Sequence, residues 1–367
     1  MILKVAKKVN RDILVDSLLD NTFQKPLKEE FEELEKNDEK RCGLSSDLTM
    51  CQGRRHNDGK NGIMNIKEDI LPFDQTRVKL KTPINGFDYI NASWIHKVEE
   101  ENIYEDVYQF LSTSKINFIL TQDPTNDTKR HFYQMMFEQK VDVIVHICSD
   151  GGVPKWKKKS YGNISKKMVE RIKFGNNIVR EEIDIYVKYD KTVSKQRSMN
   201  YRFSAWPMND QFEDDDSNNL LTLISLIQRD IGKESNKLTI AAHDPSGGVE
   251  GASSFITLFQ MVQDLDTKLK LTKLNGNESE RHEISGKREK EYINLFDKVN
   301  ELRKERAHMV STFANYQFLL STLSFYAKNR TKFDEASLTA VKVSKEKATK
   351  ANKSRLDNEI ENIELLI

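Results

Sequence analysis

The sequence predicts an α/β fold in which helices cover the faces of a β-sheet. Residues 118–121 and 141–147 are β-branched apolar runs, and residues 128–138 between them have helical periodicity. This strand, helix, strand pattern is typical of a sheet with helices on its faces. Later in the chain, the apolar strand 237–243 runs into a glycine-containing loop that is followed by a helix at 252–265. That second arrangement is the one in which a loop and a helix N-terminus cradle phosphate.

The remaining elements follow from local patterns along the chain. An amphipathic helix is expected at 27–38, because Leu27, Phe31 and Leu34 recur at helical spacing among carboxylates. Residues 42–62 are rich in Gly, Asn and Asp without any period and predict an irregular connection. Further strands are expected at 77–80, 89–95, 183–187 and 199–206, and further helices at 220–231, 292–306 and 313–328.

Length and composition limit the class of protein. The 367 residues suffice for about two domains, or for one large domain with extensions. With 58 Lys and Arg against 57 Asp and Glu, the net charge of +1 gives no long-range attraction to nucleic acid. No apolar run reaches the roughly 20 residues of a membrane span, and lysines interrupt the first ten residues before a secretion signal can form. The three cysteines lack the partners of a structural zinc site. We therefore expect a soluble cytoplasmic protein with free thiols, no cofactor and no metal.

Six segments occur in the order found in the classical protein tyrosine phosphatase domain, which the chain resembles. The segment Asp88–Ser93 reads DYINAS, as in that family. The others are similar to family segments: 69–78, 119–128 (family TQGPLPNT), 132–138 (family FWRMVWE), 201–207, and the strand, loop and helix at 243–265.

The resemblance implies a twisted, mixed, mostly parallel sheet flanked by helices, in one large domain. We place that domain at 23–330, with a polar insertion at 268–290. Residues 1–22 are then an N-terminal extension, and residues 331–367 a Lys-rich C-terminal tail.

The signature loop departs from the family at the positions that carry its chemistry. The family has His-Cys, five residues and Arg, whereas this chain reads HDPSGGVEGA from His243, which retains the histidine. Asp244 stands where the resemblance places the thiolate nucleophile, and a carboxylate is a poor replacement for a soft, weakly hydrated thiolate. Glu250 stands where an arginine would bind two phosphoryl oxygens. Two like charges about 4 Å apart repel by roughly 4 kcal/mol at an effective dielectric near 20, so the pair opposes a phosphate dianion.

Three other functional positions of the family have also changed. Met208 follows Trp206-Pro207, where the family has the aspartic acid that protonates the leaving group. Lys67 stands at the position of the tyrosine that stacks on the substrate ring, and Ser311 at that of a water-positioning glutamine. The resemblance therefore implies a degenerate site without catalytic residues.

Three interpretations of the altered loop remain open. A relaxed loop can simply tolerate Asp244 and Glu250 as surface carboxylates once catalysis is lost. Alternatively, Gly247, Gly248 and Gly251 let the loop turn its N–H groups inward, and the following helix presents its positive end, so that a carboxylate of the chain itself fills the anion site. In the third interpretation, Lys67 or a cationic side chain of a partner enters an acidic pocket.

Together these features predict a catalytically inactive phosphatase-like protein, a pseudophosphatase that acts as a binding or scaffold protein in phosphotyrosine-linked signal transduction. The expected partners are signalling proteins, among them phosphotyrosine-containing proteins or kinases. Lys67, Asp244 and Glu250 are the candidate binding residues. One alternative is a phosphatase with residual or altered activity through another nucleophile such as Ser246; the other is a purely structural interaction protein.

Overall fold

A ten-stranded mixed sheet organises the fold. The computed structural model describes residues 13–14, 26–42, 64–95, 116–149, 160–207, 209–232, 238–274, 292–333 and 343–345. The described strands are β1 (Ile13–Leu14), β2 (Arg77–Ile84), β3 (Phe87–Ile95), β4 (Ile116–Gln122), β5 (Val143–Ile147), β6 (Ser160–Tyr161), β7 (Ile164–Phe174), β8 (Ile178–Tyr189), β9 (Thr192–Phe203), β10 (Leu238–Asp244), β11 (Tyr292–Ile293) and β12 (Val343–Lys345). The described helices are α1 (Leu27–Cys42), α2 (Lys129–Glu138), α3 (Asp214–Ile231), α4 (Gly251–Leu274), α5 (Leu295–Glu305) and α6 (Phe313–Asn329), followed by a 3-10 turn at Arg330–Phe333.

The strand order of the large sheet is β12-β7-β8-β9-β5-β10-β4-β3-β2, with β6 paired to β7. The four central strands β9, β5, β10 and β4 are parallel, and every other pairing in this described sheet is antiparallel. The prediction of a mixed sheet flanked by helices is confirmed, but the prediction that it is mostly parallel is wrong. Short turns with left-handed residues, such as Asn85-Gly86 and Asp190, join neighbouring strands as hairpins, and a hairpin can only be antiparallel.

The core lies on both faces of the sheet. On one face, Ile240 and Ala242 of β10 pack in a cluster with residues of α1, α3, α4, α5 and α6. On the other face, Ala241 packs in a second cluster with Phe132 and Met135 of α2. Consecutive residues of β10 thus point to opposite faces, and both faces are covered, as expected for a central parallel strand.

The predicted extension, insertion and tail fall mostly outside the described residues, and so does the irregular connection after α1. Where they are described, β1 pairs with β11, helix α4 continues to Leu274, and β12 pairs with β7. Buried Phe333 also packs in the core, just beyond the predicted domain end. The domain boundaries themselves stay predictions. Within the described part of the chain, no helix combines the length and apolar character needed to cross a bilayer.

Candidate functional site

The signature loop lies at the carboxyl end of β10, the strand between β4 and β5. Residues 245–250 connect β10 to the first residue of α4, Gly251. Gly247 and Gly248 have φ of +89° and +86°, a backbone region that favours glycine. A Cβ at Gly248 would lie 2.7 Å from the carbonyl oxygen of Thr121, so the backbone passes too close to β4 for a side chain. The glycines therefore fix a loop whose N–H groups turn toward Asp244.

Asp244 is 2% exposed, and its carboxylate accepts hydrogen bonds from the loop around it. Oδ1 accepts from the backbone N–H of Ser246 at 2.9 Å and of Gly248 at 2.7 Å. The Ser246 hydroxyl also donates to Oδ1 at 2.7 Å, and the N–H of Ala252 donates to Oδ2 at 2.9 Å. Three backbone donors at the helix start thus converge on a carboxylate of the chain itself.

Glu250 and Lys67 lie together at the edge of the loop. The Nζ of Lys67 is 3.6 Å from Oε1 of Glu250, and both side chains are partly exposed. Burial raises the pKa of Glu250, and the negative charge of Asp244 raises it further, while Lys67 opposes the shift. Lys67 is brought there by its neighbours, since Gln122 of β4 accepts from the N–H of Ile66 at 2.9 Å. The structure thus pairs Lys67 with Glu250 and places Glu250 near enough to Asp244 for their charges to interact.

Met208, which stands where the family has its general acid, lies outside the described residues. Its neighbours Asn209 and Asp210 have left-handed φ of +64° and +56°. Asp210 is exposed, and its charge contributes to the raised pKa of Glu250. The negative charge near the loop therefore includes Asp210 as well as the loop carboxylates.

Ser311, which replaces the family's water-positioning glutamine, lies against the loop. Its N–H donates to the carbonyl oxygen of Val249 at 3.0 Å. Its hydroxyl is buried and has no hydrogen-bond partner among the described residues. Residue 311 therefore lies beside the loop, but its hydroxyl makes no hydrogen bond to the Asp244 carboxylate.

A buried arginine that the sequence analysis missed supports the loop from below. Arg306 is fully buried, and its Nη2 donates to the carbonyl oxygen of Gly247 at 2.7 Å. The same guanidinium donates to Asn91 Oδ1 at 2.7 Å and to Ser93 Oγ at 3.2 Å. Burial lowers the pKa of Arg306 to about 10, against the opposing effects of Tyr89 and Asp244, so the group stays charged at neutral pH. Asn91 and Ser93 belong to the unaltered DYINAS segment, which was the available signal for a partner of this kind.

A second missed residue, Asp123, lies beneath the loop between two histidines. His243 Nδ1 is 2.7 Å from Asp123 Oδ1, and His146 Nε2 is 3.2 Å from Asp123 Oδ2. The two imidazole rings stack with centroids 4.5 Å apart. Burial alone would lower the pKa of His146, but the hydrogen bond to Asp123 raises it to about 9. Burial lowers the pKa of His243, and the neighbouring His146 lowers it further, so His146 carries the positive charge of the cluster.

Comparison with known proteins assigns the family. A family model described as protein-tyrosine phosphatase matches residues 61–324. The chain belongs to the protein-tyrosine phosphatase family. Human receptor-type tyrosine-protein phosphatase eta is 26% identical over 301 residues, which cover 79% of this chain and 19% of that protein. Mouse receptor-type tyrosine-protein phosphatase C is 27% identical over 286 residues, which cover 74% and 18%. The chain thus spans about a fifth of the length of these curated relatives.

Solved phosphatase structures show the same fold. One similar structure is that of PTPN18, described as the structural basis of its fingerprint on distinct HER2 tyrosine phosphorylation sites. Its TM-score is 0.59 and its sequence identity 21%, and the alignment covers 85% of this chain and 99% of the PTPN18 chain. A structure of PTPN18 in complex with HER2 phosphopeptides has a TM-score of 0.58 and 21% identity, and covers 85% and 96%. The α/β phosphatase fold predicted from the six segments is therefore confirmed.

Proposed function

We propose that this family member is catalytically inactive and acts as a binding or scaffold protein in phosphotyrosine-linked signalling. The observation that carries the proposal is the occupied anion cradle. Three loop N–H groups that could bind a phosphoryl group already donate to the Asp244 carboxylate. A phosphoryl group could reach these N–H groups only by displacing the carboxylate. Each hydrogen bond that it gained would replace one that the loop already makes, so the net gain in binding free energy would be small.

The charges around the loop support the same proposal. Glu250 replaces the bidentate arginine that the family uses on phosphoryl oxygens, and Asp210 adds a further negative charge. An incoming dianion meets repulsion where the family provides a clamp. The proposal includes a cytoplasmic location and signalling partners such as phosphotyrosine proteins or kinases. Such partners are supported by PTPN18, which shares this fold and has been solved with HER2 phosphopeptides.

One specific contact favours an alternative, in which Ser246 acts as nucleophile. Its hydroxyl donates to Asp244 Oδ1 at 2.7 Å, which is the distance of a nucleophile from a general base. Against this, the oxyanion donors that such a reaction needs are the N–H groups already bound to Asp244. The hydroxyl is also mostly buried, at 9% residue exposure.

Turnover of an aryl phosphate, with and without magnesium, tests catalytic inactivity. We expect no release above background in either condition. A rate that is lost in Ser246→Ala or Asp244→Ala would establish the alternative enzyme instead. Fold integrity of both variants is checked by circular dichroism, so that a lost rate is not a lost fold.

A peptide capture at low salt tests the binding role. Matched phosphotyrosine and unphosphorylated peptides from signalling proteins are immobilised, and the full chain is applied to both. We expect peptides of at least one pair to capture the chain. Free phosphotyrosine should not compete with this capture, because the cradle is already occupied by Asp244. Competition by free phosphotyrosine would show a working cradle, and failure of every pair would leave the purely structural role as the better account.

A further inference from the structure

The ends of three adjacent strands bring Asp123, His146 and His243 together beneath the signature loop. His243 of β10 is in register with His146 of β5, and Asp244 is in register with Gln122 of β4, the residue before Asp123. The N–H of Asp123 donates to the carbonyl oxygen of Asp244 at 2.8 Å. The cluster is therefore joined through the backbone to the residue whose carboxylate occupies the cradle.

The two imidazoles of the cluster share a single carboxylate. Their rings stack with an interplanar angle of 9° and centroids 4.5 Å apart. His243 Nδ1 lies 2.7 Å from Asp123 Oδ1 and His146 Nε2 lies 3.2 Å from Oδ2, so each ring donates one N–H to the carboxylate. Helix α2 contributes an uncharged contact, Phe132, whose ring centroid is 5.0 Å from that of His243. One carboxylate balances one imidazolium, but two stacked imidazolium rings in this buried place repel each other.

The surrounding groups determine which imidazole is charged. Burial disfavours the charge on His146, but hydrogen bonds to Asp123 and Cys148 raise its pKa to about 9. Burial lowers the pKa of His243 and the charge of His146 lowers it further, against the opposing effects of Asp123 and Asp244. Burial also disfavours the charge on Asp123, but its hydrogen bonds to both imidazoles hold its pKa well below the usual range. At neutral pH the cluster therefore holds one imidazolium, one carboxylate and the neutral ring of His243.

We propose that Asp123, His146 and His243 form a pH-sensitive switch, which holds the signature loop closed while one stacked imidazole is charged and releases it when both are charged. A proton added at Nε2 of His243 makes the second imidazolium. Repulsion between the rings displaces His243 and, with it, the next residue Asp244, so that its carboxylate leaves the N–H groups of the loop. In the open loop, His243 is hydrated and its pKa is close to the ordinary value of about 6.5. Falling pH favours the open loop, because that state takes up a proton that the closed loop does not.

The other charged groups near the cluster do not produce the same response. His146 and Arg306, with pKa values of about 9 and about 10, stay charged as the pH falls from neutral. Glu250 acts in the opposite direction, because burial and then the charge of Asp244 raise its pKa in the closed loop, so its protonation favours that state. Asp244 favours a charged His243 in the closed loop, but burial and His146 together outweigh it.

Two measurements on the full chain, from about pH 7.5 to about pH 5, test the switch. NMR of the histidine ring carbons reports the protonation of His243. Amide hydrogen exchange, corrected for its intrinsic pH dependence, reports opening of residues 244–252. We expect His243 to gain its proton in the range in which the loop opens, with opening increasing by up to about tenfold per pH unit below about 6.5, as uptake of one proton requires.

Three variants assign the response to the stacked pair. His243→Gln stays neutral and should abolish the increase in loop opening. His131→Gln is the matched control and should retain it, since His131 is a buried histidine of α2 outside the cluster, and burial lowers its pKa to about 4, below the tested range. Glu250→Gln removes the opposing carboxyl group and should retain or steepen the increase.

Loop exchange in the wild type that does not change with pH, or an equal increase in His243→Gln, would overturn the switch. If His243→Gln does not fold, the wild type decides the question alone. In that case, a His243 that stays neutral while the loop opens, or becomes charged while the loop stays closed, would contradict the proposal. Neither measurement uses a phosphopeptide, so the switch is tested separately from the proposed binding role.

Discussion

Removal of the Asp244 carboxylate should destabilise the protein by an amount that the loop geometry fixes. Asp244→Ala leaves the N–H groups of Ser246, Gly248 and Ala252 without their acceptor. Each buried donor left unpaired costs about 1–3 kcal/mol, although water entering from the loop side restores part of this. Relief of the repulsion with Glu250 offsets a further part. We expect a net loss of about 3 kcal/mol in the free energy of unfolding.

Asp244→Asn should fall between the wild type and Asp244→Ala. If the amide oxygen takes the place of Oδ1, it keeps the hydrogen bonds from Ser246 and Gly248. The amide NH₂ then faces the N–H of Ala252, donor against donor, in place of the hydrogen bond to Oδ2. One lost bond of this kind costs about 1–2 kcal/mol. The order of stability is therefore wild type, Asp244→Asn and Asp244→Ala.

Urea unfolding with linear extrapolation measures these differences. Asp210→Asn is the control, because it removes an exposed carboxylate near the same loop and asparagine tolerates the left-handed φ of that position. The control should change stability by less than about 0.5 kcal/mol. Asp244→Ala as stable as the wild type would refute the reasoning, since it would mean that the carboxylate contributes nothing to holding the loop.

Three further predictions concern the same loop. Calorimetry should show no binding of millimolar sulfate or vanadate to the wild type, whereas the double variant Asp244→Ser with Glu250→Arg should bind both with strong salt dependence. Tight binding of either anion by the wild type would contradict the occupied cradle. Asp244→Cys alone should give no aryl phosphate turnover above background, because catalytic groups act as a unit, and clear turnover would show that the nucleophile suffices. Burial raises the pKa of Glu250, so ionised Glu250 lowers the free energy of unfolding at neutral pH. Glu250→Gln should therefore stabilise the chain near pH 7, and this difference should disappear as the pH falls to about 4, where the wild-type carboxyl is protonated in the folded and unfolded states. A stability difference that stays constant over that range would contradict the shift.

The sequence predicts those parts of the fold whose patterns are local. Apolar runs identified β4, β5 and β10, and helical periodicity identified α2 within a residue at its start. It also identified the end of α3, but that helix begins at Asp214, six residues before the predicted start, because its first turn is polar. Strand β7 was missed because most of its residues are only half-buried, so its sequence, ISKKMVERIKF, has no clean alternation. The same strand and its neighbours make the outer sheet antiparallel, which is why the expected share of parallel pairing was too large.

The site divides in the same way. The glycines and the helix start made a carboxylate turned into the loop one of three open interpretations, and Asp244 makes those contacts. The pairing of Asp123 with His146 had no local signal. It depends on β10 inserting between β4 and β5, although β10 comes about a hundred residues later in the chain. Only the sheet order brings these side chains together.

The altered residues of the loop are consistent with one another electrostatically. The N–H groups of the loop and the buried guanidinium of Arg306 create a positive region that needs a negative charge at its centre. Asp244 supplies that charge from within the chain. Once it does, an arginine at position 250 has no phosphoryl group to hold, and a carboxylate there is tolerated because Lys67 lies 3.6 Å away. The loop keeps its shape because Arg306 still holds Gly247, and this contact does not depend on a substrate. The contacts that occupy the anion cradle and the charges at position 250 therefore act separately, which is why Asp244→Ala should weaken the loop while Glu250→Gln should not.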